Sequence, residues 1–153
     1  MAGPVMRGVG TSTDSLTAGP ADEPDRGGLD RRVLVVDDSA PIRELLAVNL
    51  ELEGFEVRCA ADGRAGLELA RAWRPDVVTL DVVMPDLDGL AVLTELRADG
   101  ATCAIPVLML TGRAQPADRD RAEALGADGY LAKPFEPAEL VAAVLDLARN
   151  GRR

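Results

Sequence analysis

A doubly wound α/β domain with a five-stranded parallel sheet, strand order 2-1-3-4-5, is the fold this sequence predicts. Three observations carry it. Short unbroken apolar runs such as Val33-Leu34-Val35-Val36 and Val107-Leu108-Met109-Leu110 are what a strand covered on both faces requires. Each of five such segments is followed by a helical pattern with its own cap or proline, which is how strand-helix-strand units read. Right-handed crossovers then leave few arrangements, and 2-1-3-4-5 is a common order for five strands.

The stretch from Met1 to about Asp30 lies outside that pattern. It is built of Gly, Pro, Ser, Thr, Asp and Ala without a period, and Arg7 and Arg26 against five acids leave it at about −3. It is expected to be a flexible leader, with the folded domain running from residue 31 to residue 151. Gly8-Val9-Gly10 is no dinucleotide fingerprint, because no strand precedes it and no third glycine follows.

The first strand, Val33–Val36, ends in Asp37-Asp38. Ser39 offers an N-cap and Pro41 suits a first helical turn, so a helix follows with Ile42, Leu45, Leu46 and Leu50 as its buried stripe and Gly54 closing it. Phe55–Ala60 is the second strand. Asp62 caps a helix to about Arg74, with Leu69, Ala70 and Trp73 inward and Pro75 ending it. Trp73 reads as a packing residue, since it shares the stripe of its apolar neighbours.

The third strand, Val77-Val78-Thr79-Leu80, runs into Asp81 and stops at Met84-Pro85. Asp86-Leu87-Asp88-Gly89 turns into a helix with Leu90, Leu93 and Leu96 inward, closed near Gly100. That turn lacks the spaced acids and terminal glutamate of a calcium loop. Pro106 introduces the fourth strand, which ends at Thr111-Gly112. The helix after it, about Pro116 to Leu125, is crowded with charge and has the weakest apolar stripe of the five. Gly129–Ala132 is the fifth strand and leads through Lys133-Pro134-Phe135 to a last helix from Pro137, burying Leu140, Val141, Val144, Leu145 and Ala148.

Composition excludes several functions. A net charge of −9 with no basic stripe argues against direct contact with nucleic acid or anionic membrane, and Arg149, Arg152 and Arg153 read as a solubilising tail. No apolar run approaches the ~20 residues a bilayer span needs. Cys59 and Cys103 lack metal spacing and are expected to be buried free thiols, which with the absence of a secretory segment points to a reducing cytoplasm. The chain has no histidine, which removes the usual zinc ligands and the Ser-His-Asp arrangement. Of its 17 cations, one alone is lysine, Lys133.

In an open parallel sheet, ligands bind off the carboxyl ends of the strands, beside the point where strand order reverses. Those ends carry Asp37 and Asp38, Asp81, Thr111 and Lys133, gathered from four strands. Three carboxylates brought to about 4 Å repel by about 4 kcal/mol per pair at an effective dielectric near 20, so a cation belongs among them. Oxygen-only ligands select a hard ion, and a few carboxylates with the remaining positions left to water is the habit of Mg2+. Asp37 and Asp38, helped by the backbone carbonyl of Val83, would hold it. The Lys133 ammonium and Thr111 hydroxyl suit phosphoryl oxygens, and Gly112 leaves room beside them. Asp81 then reads as the acceptor of a phosphoryl group, forming an acyl phosphate.

The acidic pair Asp37-Asp38, Asp81 with Met84-Pro85 behind it, Thr111-Gly112, and Tyr130 three places before Lys133-Pro134-Phe135 together resemble the receiver domain of bacterial two-component response regulators. The resemblance covers about Arg31 to Gly151. It implies a flavodoxin-like fold of five βα units, similar to the stand-alone chemotaxis regulators. It further implies Mg2+-dependent phosphorylation of Asp81 by a partner histidine kinase or histidine phosphotransfer protein, by a chain that is not an enzyme in the ordinary sense. Thr111 would swing toward the phosphoryl group while Tyr130 turns inward, reshaping the face of the fourth helix, fifth strand and fifth helix for a downstream protein target. The Lys133-Pro134 bond is expected to be cis. A homodimer formed on phosphorylation stays open, and the chain stopping soon after the fifth helix points to a receiver without an attached output domain, unless it is part of something longer.

Two neighbours depart from frequent choices in that family: Val83, where Asn is often found, and Arg113, two places after Thr111. Because Val83 cannot orient water, the acyl phosphate is expected to be long-lived. Three other readings compete. A buried ion network without chemistry does not explain why Asp81 and Thr111 join it. A phosphatase of the haloacid dehalogenase type wants a second aspartate two residues after the first, where this chain has Val83. A receiver-fold adaptor working without phosphorylation would not need all five site residues.

Overall fold

The computed structural model describes residues 31–112 and 115–152; the expected leader, Arg113 and Arg153 of the expected tail lie outside them. The strands are β1 (Arg32–Val36), β2 (Glu56–Ala60), β3 (Val77–Asp81), β4 (Val107–Thr111) and β5 (Gly129–Ala132). The helices between and after them are α1 (Ala40–Leu52), α2 (Gly63–Trp73), α3 (Gly89–Ala98), α4 (Pro116–Ala124) and α5 (Pro137–Asn150). All strand pairs are parallel, in the order β2-β1-β3-β4-β5, as the apolar runs and crossovers predict.

Alternation along each strand divides the core in two. Leu34, Val36, Val78, Leu80, Val107 and Met109 pack with α2, α3 and Ala122 of α4. Val33, Val35, Val77, Leu108 and Leu110 pack with α1 and α5. Successive strand side chains point to opposite faces, so one apolar run feeds both layers.

Helix starts follow the sequence signals. Ser39 accepts from the Ile42 N–H, Asp62 from the Ala65 N–H and Asp88 from the Ala91 N–H, while α5 opens with a reciprocal capping box between Glu136 and Glu139. Asp88 is therefore a cap in the turn that superficially resembles a calcium loop. In α4 only Ala122 is buried, in keeping with its weak stripe. Trp73 is buried in the α2 layer with the Arg32 and Arg58 guanidinium groups over its ring, at 5.4 and 4.8 Å.

Several side chains differ from expectation. Leu45 is 41% exposed, because Ile42, Leu46 and Leu50 form an i, i+4 row and Leu45 lies on its outer flank. In α5 the buried row is Leu140, Val144 and Leu147, with Val141, Leu145 and Ala148 only partly covered. Cys59 is an exposed free thiol, since its strand is the sheet edge, and Cys103 is free and half-buried. Arg152 is not a loose solubilising charge. Its Nε donates to Asp128 at 3.1 Å, beside the Arg97–Asp128 pair at 2.8 Å, tying the end of α5 to the loops before β4 and β5. No helix among the described residues is long and apolar enough to cross a membrane.

Candidate functional site

β1, β3, β4 and β5 end at one edge of the sheet, and their register brings the polar residues there together. Asp81 is the last residue of β3 and pairs with Leu110, one position before Thr111, which in turn pairs with Ala132, one before Lys133. The Lys133 N–H donates to the Thr111 carbonyl at 2.7 Å, and the Val82 N–H to that of Leu110 at 2.9 Å. The Lys133-Pro134 bond is cis.

Carboxylate oxygens of Asp37, Asp38 and Asp81 lie within 4.8 Å of one another. Asp37 is 1% and Asp81 4% exposed, while Asp38 faces solvent. Lys133 bridges the buried pair, its Nζ 3.0 Å from Asp37 Oδ2 and 3.5 Å from Asp81 Oδ2. Residues 96 positions apart in the chain therefore share one ion pair. Asp81 Oδ1 also accepts from the Val83 N–H at 3.3 Å. Burial pushes the Asp81 carboxyl above its ordinary range, and the neighbouring Asp37 charge adds to this against the pull of Lys133.

Thr111 is fully buried at the end of β4, and Gly112 opens onto solvent with no atom near where a Cβ would stand. Val83, whose N–H meets Asp81, is apolar and 52% exposed. Tyr130 is half-buried on β5 with the Arg119 guanidinium 5.5 Å from its ring centre. Gln115, Pro116, Arg119 and Asp120 of the α4 region line, with Tyr130 and Ala132, a cleft of about 220 Å³. The sequence-predicted residues thus stand along one rim, with Tyr130 on the strand leading to it.

Two residues of the site were not singled out from sequence. Gly89 begins α3 directly over the end of β3: its N–H donates to the Val82 carbonyl at 2.9 Å, and a Cβ there would land on the Asp81 carbonyl oxygen. Arg43 reaches back from α1, Nη1 donating to the Asp37 carbonyl at 2.8 Å. The available signal for Arg43 was a cation in the first turn of a helix, where the dipole disfavours one.

A parallel sheet that holds clustered acids and one ammonium at its carboxyl edge defines a phosphoacceptor module of the receiver class. The response regulator receiver domain matches residues 33–145, and the chain belongs to that family. It is 43% identical over 122 residues to the DNA-binding dual master transcriptional regulator RpaA of Synechocystis, covering 80% of this chain and 51% of RpaA. With the response regulator MprA of Mycolicibacterium vanbaalenii the figures are 46% over 119 residues, 78% and 51%. The chain thus spans about half the length of these curated relatives. Among solved structures, Vibrio cholerae chemotaxis protein CheY4 superposes with a TM-score of 0.73 at 38% identity, covering 76% of this chain and 97% of CheY4. The Francisella response regulator 1452 receiver domain gives 0.73 at 32%, covering 78% and 97%.

Proposed function

We propose that this domain receives a phosphoryl group on Asp81 from a phosphohistidine of a partner histidine kinase or phosphotransfer protein. The observation that carries the reading is Lys133 Nζ set between the buried carboxylates of Asp37 and Asp81, with Asp38 at their side. An Asp81 oxygen attacks phosphorus as the P–N bond breaks; the electron pair returns to the donor imidazole, which takes up a proton. Lys133 and Thr111 supply donors for the phosphoryl oxygens, and Gly112 leaves their approach open.

The donor set fits Mg2+: oxygen ligands alone, two buried and one facing water, with no His or Cys beside them. Asp37, Asp38 and Asp81, with the Val83 carbonyl, would hold the ion. When bound it neutralises charge on the entering phosphoryl group. Thr111 and Tyr130 would pass the change to α4, β5 and α5, where the cleft under Arg119 gives Tyr130 somewhere to move. The target recognised there is a protein surface. RpaA is named as DNA-binding and is about twice as long, but this chain's net charge of −9 argues against its own direct contact with DNA.

The test is intact-mass analysis after incubation with a small phosphodonor and Mg2+. One phosphoryl adduct, lost in Asp81→Asn and absent when Mg2+ is chelated, supports the reading. An adduct unaffected by Asp81→Asn, or none under any donor, overturns it. Turnover of a generic phosphate ester would favour the phosphatase reading, against which the apolar, exposed Val83 stands.

A further inference from the structure

Arg43 closes the first turn of α1, where no acidic residue balances it against the helix dipole. Its guanidinium turns back six residues and gives Nη1–H to the Asp37 carbonyl at 2.8 Å. That carbonyl belongs to the same rigid peptide plane as the Asp38 N–H. Every other polar atom of Asp37 is also held: its N–H by the Ala60 carbonyl at 3.1 Å, Oδ1 by the Ser39 N–H at 2.9 Å, and Oδ2 by Lys133. Asp38 is different. Its side chain faces solvent, and among the described residues no hydrogen bond or ion pair fixes its carboxylate, although one of its oxygens joins the cluster within 4.8 Å. Among the described residues, then, it is the backbone that carries that carboxylate's direction.

We propose that Arg43 is a positioning residue: by fixing the peptide plane between Asp37 and Asp38, it aims the Asp38 carboxylate into the acidic cluster. The inference rests on the reading of that cluster as a Mg2+ site. Two effects of removing Arg43 have opposite signs, which makes the role testable. As a bare charge, Arg43 repels a divalent ion, so its loss would tighten binding. As an anchor, it holds a ligand in place, so its loss weakens binding. Groups that orient metal ligands commonly carry factors of about 10 to 100 in affinity, and the anchored plane puts Arg43 near the lower end, about tenfold.

The experiment is Mg2+ titration of the whole chain by calorimetry, with backbone amide exchange followed in parallel without metal. Arg43→Leu is expected to raise the Kd for Mg2+ about tenfold and to speed exchange at the Asp38 amide, while Arg43→Lys, which keeps a donor, recovers most of both. Circular dichroism establishes that each variant is folded; should Arg43→Leu not fold, Arg43→Met, which also lacks a donor, takes its place with the same expectation. Equal or tighter Mg2+ binding in the Leu variant overturns the inference while leaving the metal site standing. If the wild-type chain binds no Mg2+, the metal reading falls instead, and unchanged Asp38 exchange in Arg43→Leu would then overturn the anchoring role on its own.

Discussion

Replacing Asp81 by Asn should make the metal-free protein more stable. The buried Asp37 carboxylate stands within 4.8 Å of Asp81, which at an effective dielectric near 20 costs at least about 3.5 kcal/mol. Lys133 at 3.5 Å returns about 4.7 kcal/mol by the same arithmetic. These two nearly offset, so burial of the charge and the screened repulsion of exposed Asp38 decide the balance, and they point the way the raised Asp81 carboxyl already does. Removing one partner of a buried pair usually leaves an orphan charge. Here it does not, because Lys133 keeps Asp37 at 3.0 Å. Asn also retains an oxygen for the Val83 N–H. The expected gain is about 1–2 kcal/mol, or several degrees in Tm. The assay is thermal unfolding of both proteins in chelator and again in Mg2+. Ligand binding raises Tm in proportion to affinity for the folded state, so Mg2+ should lift the wild type more than the variant and narrow the gap. A variant that melts at or below wild type in chelator would refute the reasoning, because it would mean that Lys133 fully compensates the clustered acids.

Gly89→Ala places a methyl group against the Asp81 carbonyl and Val82 Cα, so denaturant unfolding should show a loss of about 2 kcal/mol, and Mg2+ titration a weaker site. Val83→Asn puts a group able to orient water beside the acceptor, and the decay of phosphorylated protein followed by intact mass should be faster than in wild type. Asp128→Ala leaves the Arg97 guanidinium buried beside Arg152 without their carboxylate, with an expected loss of about 3 kcal/mol on chemical unfolding and retained phosphoryl acceptance at the opposite sheet edge. Asp99 is held below the ordinary carboxylate range by the Ala101 N–H and then by Arg71, so its contribution to stability is present above roughly pH 4 and is lost as pH falls through its lower folded value. Thermal unfolding of Asp99→Asn should accordingly show a shallower acid decline than wild type.

What the sequence made legible depended on whether a residue acts through a period or through an approach in space. Strands buried on both faces announce themselves as apolar runs, and the strand order followed from handedness, so the rim carrying Asp37, Asp38, Asp81, Thr111 and Lys133 could be drawn before any coordinates. Helix faces were read less well. In α1 the apolar residues Leu45, Val48 and Leu52 stand outside the covered row, and a stripe that broad has no single centre for a period to find. Arg152 read as tail because its partner Asp128 lies 24 positions away across a loop that no periodicity reports. Gly89 and Arg43 share a reason for having been missed: each acts on main-chain atoms, Gly89 by leaving room for the Asp81 carbonyl and Arg43 by donating to that of Asp37. A carbonyl is present at every position, so residue types alone cannot say which one will need a partner. The charged side chains gathered at the rim are therefore the readable half of this site, and the groups that hold their backbones still are the half that only the fold supplies.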